Sequence, residues 1–256
     1  MMNNNDEIKP TTKVYGFLSE YAQQNRLSVV MNSMFKSIAT DAMMIPMNIR
    51  ADDFYYTVSG LRNAKLNGVV IGKEYRHDLL DLCDVTSSDV QACGFCDILN
   101  VKEGKLYGDV FIGRALNRLF NDRAVESLAL YGSGALAHSI LLHVKKSPIN
   151  KVILFNDRIE SCKELIETLG DAIEGIEVEI ERANSALCAD FSRCDMALNV
   201  AKDEALFSSI ISSPVMVDLA QNNSAFSTHA SSEYLGYDAI LPYMSQSAYT
   251  IFEGVE

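Results

Sequence analysis

The stretch from Ser127 to Phe155 constrains the fold most. An apolar run, Ser127 to Tyr131, leads into Gly132-Ser133-Gly134-Ala135-Leu136-Ala137. A helical pattern to Lys145 follows, then a second apolar run, Lys151 to Phe155. Strand, glycine turn, helix, strand is the layout of a nucleotide-binding βαβ unit. The turn reads G-x-G-x-x-A. The first glycine permits a tight turn, and the second lets backbone approach a diphosphate. The small Ala137 lets the helix pack on the strand, and helix N-terminal N–H groups face the phosphates. A plain tight βα turn without a ligand would need the same first glycine. The strand KVILFND ends at Asn156-Asp157, 25 residues after Gly132. An acidic side chain there can accept from a ribose diol and would repel a 2′-phosphate, whereas the adjacent Arg158 could do the reverse. Asp157 could instead cap the next helix. On this reading Gly132, Ser133, Gly134, Ala135, Asn156, Asp157 and Arg158 hold NAD or NADP, with NAD preferred.

The remaining pattern is also α/β. Upstream, Val14–Leu18 reads as a strand and Ser28–Ala39 as a helix. Met43–Ile49 is a strand, and Asp52-Asp53 open a helix to Leu61 with an acidic cap. Leu66–Ile71 is a buried strand ending at Gly72, and Glu74–Leu82 is helical. Phe95–Val101 and Lys105–Gly108 form a hairpin around Glu103-Gly104. A helix spans Gly113–Phe120. After the βαβ unit come a helix at Ile159–Leu169, short strands at Val178–Ile180, Asp195–Asn199 and Val215–Leu219, and a closing helix at Tyr243–Phe252. Strands that alternate with helices imply layered sheets. The chain has 256 residues, large enough for two modest domains.

Composition excludes several classes. The net charge of −12 repels phosphate backbones, so no nucleic-acid partner is expected. No apolar run reaches the roughly 18–20 residues of a membrane span. MMNNNDEIKPTTK lacks the apolar core of a signal peptide, which points to the cytoplasm. The six cysteines are then expected as reduced thiols. Cys93-Gly94-Phe95-Cys96 is C-x-x-C, a redox pair or half a zinc site, but no second C-x-x-C completes it. His138 and His143 are five apart on one helix and share no face. His229 lies in a Ser/Ala-rich stretch and is expected to be exposed. No metal site is expected, and a homodimer is compatible with the sequence.

Other motifs carry a resemblance. Asn67-Gly68-Val69-Val70-Ile71-Gly72-Lys73 keeps the Asn and Lys of N-V-T-x-P-x-K. Gly104-Lys105-Leu106-Tyr107-Gly108-Asp109-Val110-Phe111-Ile112-Gly113 meets G-x-L-x-G-x-N-T-D-G without a gap. Gln246-Ser247-Ala248 meets Q-A-A. These stretches and the glycine turn resemble the shikimate dehydrogenase family from Val14 to Phe252. The resemblance implies an α/β protein with a split N-terminal substrate domain and a Rossmann-like nucleotide-binding domain. The expected boundaries are 13–110 plus the C-terminal helix 237–256 for the substrate-binding and catalytic domain, and 111–236 for the NAD(P)-binding domain. It implies an oxidoreductase with Lys73 as acid/base and with Asn67 and Gln246 as substrate contacts. A lone surface lysine, a turn asparagine and a helix-surface glutamine would look the same. Several positions depart from the family. Its catalytic Asp is Ile112, its motif Thr is Val69, and its S-x-S falls on Asn25-Arg26-Leu27. The Asn of G-A-V-N-T is Cys96, and the Tyr of D-L-x-Y is Gln221. An apolar pocket leaves the polar groups of shikimate unpaired at roughly 1–3 kcal/mol each, so a small-molecule substrate other than shikimate is expected. A non-catalytic nucleotide-binding or regulatory relative, and a different nicotinamide reaction such as imine reduction, are the rival readings.

Overall fold

The computed structural model describes residues 8–184, 186–201, 209–219, 226–227 and 233–254. The chain divides into two compact units, Met1–Val110 with Ser245–Glu256, and Phe111–Met244.

The first unit is built on a six-stranded mixed sheet. Its elements are β1 (Lys13–Ser19), α1 (Leu27–Ser37), β2 (Ala42–Asn48), α2 (Phe54–Gly60), β3 (Gly68–Ile71), β4 (Val85–Thr86), α3 (Ser88–Cys93), β5 (Ile98–Lys102) and β6 (Lys105–Asp109). The strand order is β2-β1-β3-β5-β6-β4. β1 pairs in parallel with β2 and β3, and β5–β6 is the expected hairpin, turning through Glu103 and Gly104 with φ of 52° and 72°. All four residues of β3 are buried, as its continuous apolar run requires. The Asp52-Asp53 cap is not formed, because Asp53 makes no side-chain cap bond. Glu74–Leu82 is not one helix but two short 3-10 stretches, Lys73–Tyr75 and Asp78–Leu82. The Arg76 carbonyl, which a continuous helix would give to Leu80, accepts instead from Cys96 N–H, and Leu80 N–H turns to His77.

The second unit contains α4 (Ile112–Asp122), β7 (Ser127–Tyr131), α5 (Ala135–Leu141), β8 (Lys151–Asn156), α6 (Ile159–Leu169), β9 (Glu177–Arg182), β10 (Cys188–Asp190), β11 (Met196–Asn199), β12 (Ser209–Ile211), β13 (Val215–Asp218) and β14 (Glu233–Leu235). Its main sheet runs β14-β13-β11-β7-β8-β9, all parallel. Counted along the chain this is the doubly wound order 3-2-1-4-5-6, with its switch between β7 and β11. Gly113 lets α4 reach α5, since a Cβ there would fall 2.1 Å from the Ser139 carbonyl oxygen. On one sheet face Tyr131, Phe155, Phe191 and Phe226 form an aromatic cluster, with Phe155 and Phe191 edge to face at 4.8 Å. A two-stranded pair, β10–β12, was not apparent from the sequence.

A last helix, α7 (Tyr237–Glu253), runs across the division between the units at Met244/Ser245. It begins six residues earlier than Tyr243 because Pro242 is accommodated inside it. In the first unit its end is fixed by Phe252 stacked on Tyr15 at 4.1 Å and by Lys13 and Tyr15 bonded to Glu253. Among the described residues no helix is long and apolar enough to cross a membrane.

Candidate functional site

In the second unit the glycine turn lies at the C-terminal end of β7, beside the switch point. Gly132 takes φ +113°, which an L side chain rarely adopts. Its N–H donates to Phe155 O, and a Cβ on it would stand 2.9 Å from Ala201 N. That opposing loop is set by Asn199, whose Oδ1 accepts from Ala201 N–H at 3.1 Å. Gly134 is the N-cap of α5, with no side-chain cap, and among the described residues a Cβ on it would meet no heavy atom within 4 Å. Backbone N–H groups at the start of α5 therefore have no side-chain acceptor at the cap, and the space beside Gly134 is open. Ala137 is fully buried, as the motif's packing position requires. Ala135 is half-buried. α5 is shorter than the expected Ala135–Lys145, and the path continues as a 3-10 turn, Val144–Lys146.

Asn156 is a brace between two turns. Its Nδ2 donates to Ser133 Oγ at 2.6 Å, and its Oδ1 accepts from Arg158 N–H at 2.9 Å. Asp157 and Arg158 are both exposed at the tip of the β8–α6 turn. His138 is buried three residues into α5, where burial holds its pKa below the ordinary 6.5 and Nε2 finds no partner among the described residues.

In the first unit the parallel strands β2, β1 and β3 end together. Gly72 N–H donates to Leu18 O at 2.7 Å, and Ile49 N–H to Ser19 O. Lys73 follows, exposed, at the start of a 3-10 turn. Its neighbour Glu74 accepts from Ser19 Oγ at 2.6 Å and from Glu20 N–H at 2.7 Å. A Cβ at position 72 would lie 2.7 Å from both Glu74 carboxylate oxygens and 2.8 Å from Ser19 Cβ, so any larger residue there would have to displace Glu74. Glu74 thus pins the strand end that presents Lys73. A groove of about 420 Å³ at the ends of β1 and β2 is lined by Leu18, Asn48, Arg50, Asp53, Tyr56 and Thr57, among others. A second, of about 410 Å³, shares Asn48, Ile49 and Arg50 and adds Glu20 and Tyr21. C-terminal strand ends are where open α/β sheets take ligands. Glu74, Asn48 and Arg50 do not stand out in the sequence. Their only signal there is a position just after an apolar strand.

The structure separates two of the expected residues. Asn67 precedes β3, whereas Lys73 follows it, so a strand of roughly 13 Å lies between them. Asn67 Oδ1 accepts from Val14 N–H at 2.9 Å, and its backbone bonds Val14 and Val101. This is a strand-joining role. Gln246 is exposed on α7. The positions that depart from the family motifs are core: Leu27, Val69 and Cys96 are fully buried, and Ile112 is 2% exposed. Cys93 is the last residue of α3, before the left-handed Gly94, rather than part of the hairpin. Burial, then Asp89 and Asp97, push its thiol up to about 12. Among the described residues no three His, Cys, Asp or Glu side chains could hold a metal ion. Gln221 and His229 lie outside the described residues.

No family model matches the chain. The shikimate dehydrogenase (NADP(+)) of Pyrococcus furiosus is 25% identical over 183 residues, which cover 69% of this chain and 66% of that protein. The crystal structure of shikimate dehydrogenase from Aquifex aeolicus superposes with a TM-score of 0.74 at 17% identity, over 98% of this chain and 96% of that one. The chain is a divergent relative of the shikimate dehydrogenases. The ligand-free 5-ketofructose reductase of a Gluconobacter strain superposes nearly as well, with a TM-score of 0.73 at 14% identity over 96% and 94% of the two chains. The fold is therefore shared with a reductase named for another substrate. The sequence match spans just under two thirds of the Pyrococcus shikimate dehydrogenase. The NADP(+) in that relative's name gives no support to the preference for NAD read from Asp157.

Proposed function

We propose that the chain is an NAD(P)-dependent oxidoreductase of shikimate-dehydrogenase type whose small-molecule substrate is not shikimate. One observation carries this reading: a glycine turn with φ +113° at the switch point of a parallel 3-2-1-4-5-6 sheet, with open space beside Gly134 among the described residues. Residues 111–236 would hold the nucleotide, and residues 13–110 with 237–256 the substrate. Backbone N–H groups of Ser133, Gly134 and Ala135 cradle the diphosphate, while Asn156 braces the turn and Asp157 or Arg158 meets the ribose. The dinucleotide, when bound, supplies the hydride acceptor. The amine of Lys73 takes the hydroxyl proton in oxidation and returns it in reduction, a contribution of about 10²–10⁴-fold for acid–base participation. Gln246 remains a candidate substrate contact, and Asn67 does not, since its side chain holds Val14.

The buried apolar side chains at Leu27, Val69 and Ile112 support a substrate other than shikimate. Calorimetric titration with NADP(H) and NAD(H) tests the nucleotide half, and absence of binding by either refutes it. Efficient oxidation of shikimate by the purified chain would refute the substrate half. The burial of Ile112 where the family has its aspartate also favours a second reading, a nucleotide-binding relative without turnover. That reading requires binding of a dinucleotide together with no turnover of any hydroxy or keto acid offered.

A further inference from the structure

The C-x-x-C spacing draws attention to Cys93 and Cys96, but the fold gives Cys96 a different neighbour. β6 lies between β4 and β5, and Gly108 on it pairs with Thr86 on one side and Leu99 on the other. A Cβ on Gly108 would stand 2.6 Å from Cys83 Sγ and 2.9 Å from Cys96 Sγ. The φ of Gly108 is not positive, so backbone conformation does not demand glycine there. What fills the missing side chain's space is the pair of sulfurs. Cys83 is half-buried and Cys96 is fully buried. Cys83 Sγ bonds Leu79 O at 3.3 Å and Cys96 Sγ bonds Ile98 O at 3.3 Å, so each thiol also has a local anchor.

We propose that Cys83 and Cys96 are a peroxide-oxidisable thiol pair, with Cys83 the attacking and Cys96 the resolving residue. The proposal is independent of the nucleotide reading. The adjoining Cys96 thiol holds the Cys83 pKa below its ordinary value, and burial raises that of Cys96, which divides the roles. The Cys83 thiolate attacks one oxygen of hydrogen peroxide and the O–O bond breaks. The departing hydroxide is protonated to water, leaving Cys83 as a sulfenic acid. Cys96 sulfur then attacks Cys83 sulfur, the S–O bond breaks, and a second water leaves. In sum two thiols lose two electrons and two protons, and one peroxide becomes two waters. The sulfurs must close to about 2.05 Å in the product. The bond would tie Cys83, where the second 3-10 stretch ends, to the segment between α3 and β5 whose Cys96 N–H already holds Arg76 O. The turn region that follows Lys73 would then be clamped at both ends.

The test is mass mapping of the full-length native protein after stoichiometric hydrogen peroxide, digested without reductant and with free thiols alkylated. The expected product is one cross-linked peptide pair containing Cys83 and Cys96, lighter by two hydrogens and restored by dithiothreitol. Cys96→Ser should stop at a Cys83 sulfenic acid that dimedone traps, and Cys83→Ser should leave Cys96 alkylatable. A Cys93–Cys96 cross-link, or oxidation confined to the exposed Cys188 with Cys83 and Cys96 still alkylated, would overturn the proposal. The wild-type map decides this even where a variant does not fold.

Discussion

Replacing Gly132 and Gly134 separately by alanine divides the structural demand of the turn from its proposed chemical one. At Gly132 the backbone lies at φ +113°, and the new Cβ would meet backbone atoms of Val200 and Ala201 at 2.9–3.2 Å. Val200 is tied there by its N–H bond to Tyr131 O and Ala201 by its N–H bond to Asn199 Oδ1, which resists their retreat. Holding an L residue in such a region costs about 1–3 kcal/mol, and overpacking against fixed atoms about as much again. The expected loss is roughly 2–6 kcal/mol, a large part of the ~5–15 kcal/mol typical of a folded chain. At about 1–3 kcal/mol per molar urea, the midpoint followed by circular dichroism should fall by at least about 0.7 M. At Gly134 the backbone is extended, with ψ −170°, and among the described residues nothing lies within 4 Å of the added carbon. Gly134→Ala should therefore cost only the difference between glycine and alanine as the N-cap of α5, roughly 0.5–1 kcal/mol. Its methyl would nonetheless occupy the surface a diphosphate approaches, so dinucleotide affinity should drop at least about tenfold, or ~1.4 kcal/mol. A Gly134→Ala protein with undiminished affinity for NADP(H) and NAD(H) would show that no diphosphate rests there. An unchanged Gly132→Ala unfolding midpoint would refute the steric reading itself.

Lys73→Ala should remove about 10²–10⁴-fold of turnover with nucleotide affinity and unfolding midpoint unchanged, because the side chain is exposed; kcat, calorimetry and a urea titration read the three quantities. Asn156→Ala breaks the bonds to Ser133 Oγ and Arg158 N–H, neither of them fully buried, and should cost about 0.5–1.5 kcal/mol by urea unfolding, with weaker nucleotide binding as the turn loosens. For His138 the folded pKa lies below the unfolded 6.5, so the unfolded chain binds the extra proton: stability is fully present above pH 6.5 and is lost as pH falls through the folded pKa. His138→Gln should flatten that acid limb of the stability–pH profile. Ile112→Asp puts a carboxyl where only 2% of the residue is exposed, so it should destabilise by several kcal/mol, on the order of a core truncation plus desolvation, and should leave shikimate oxidation absent in a coupled absorbance assay.

Periodicity was a good guide wherever a strand or helix owed its form to its own apolar pattern. The βαβ unit, β1, β2, the β5–β6 hairpin, α4 and α6 all lie where alternation or helical spacing places them. It failed where bonds between distant segments decide the local form. The helix expected over Glu74–Leu82 is interrupted because Cys96 takes the Arg76 carbonyl and Tyr75 turns its hydroxyl to Ile49 O. The small elements β4 and α3 went unseen, although Ser87 caps α3 by accepting from Val90 N–H, since six residues carry too little periodicity. The glycine turn was legible because its signal is local. Glu74 over Gly72, the Asn156 brace and the two sulfurs over Gly108 were not, because each joins residues far apart in sequence.

A common physical thread links the departures from the family motifs. A buried hydroxyl or carboxyl is tolerable only while a ligand, a water or a protein group pairs with it, and otherwise costs about 1–3 kcal/mol. On the proposed reading, in which recognition of a polyhydroxylated acid is not required, each such position gains stability by being apolar; Leu27, Val69 and Ile112 bury entire hydrocarbon side chains. Lys73 was under no such pressure, since an exposed ammonium is paired by water whether or not it works. Its survival is therefore the weaker indication of retained chemistry. The glycine turn differs from both: among the described residues nothing crowds a Cβ on Gly134, so what the fold asks of it is the N-cap of α5, where glycine is preferred over alanine by less than the strain at Gly132. Loss of dinucleotide affinity in Gly134→Ala beyond what a weakened cap explains would therefore be a stronger indication of retained binding than the survival of Lys73.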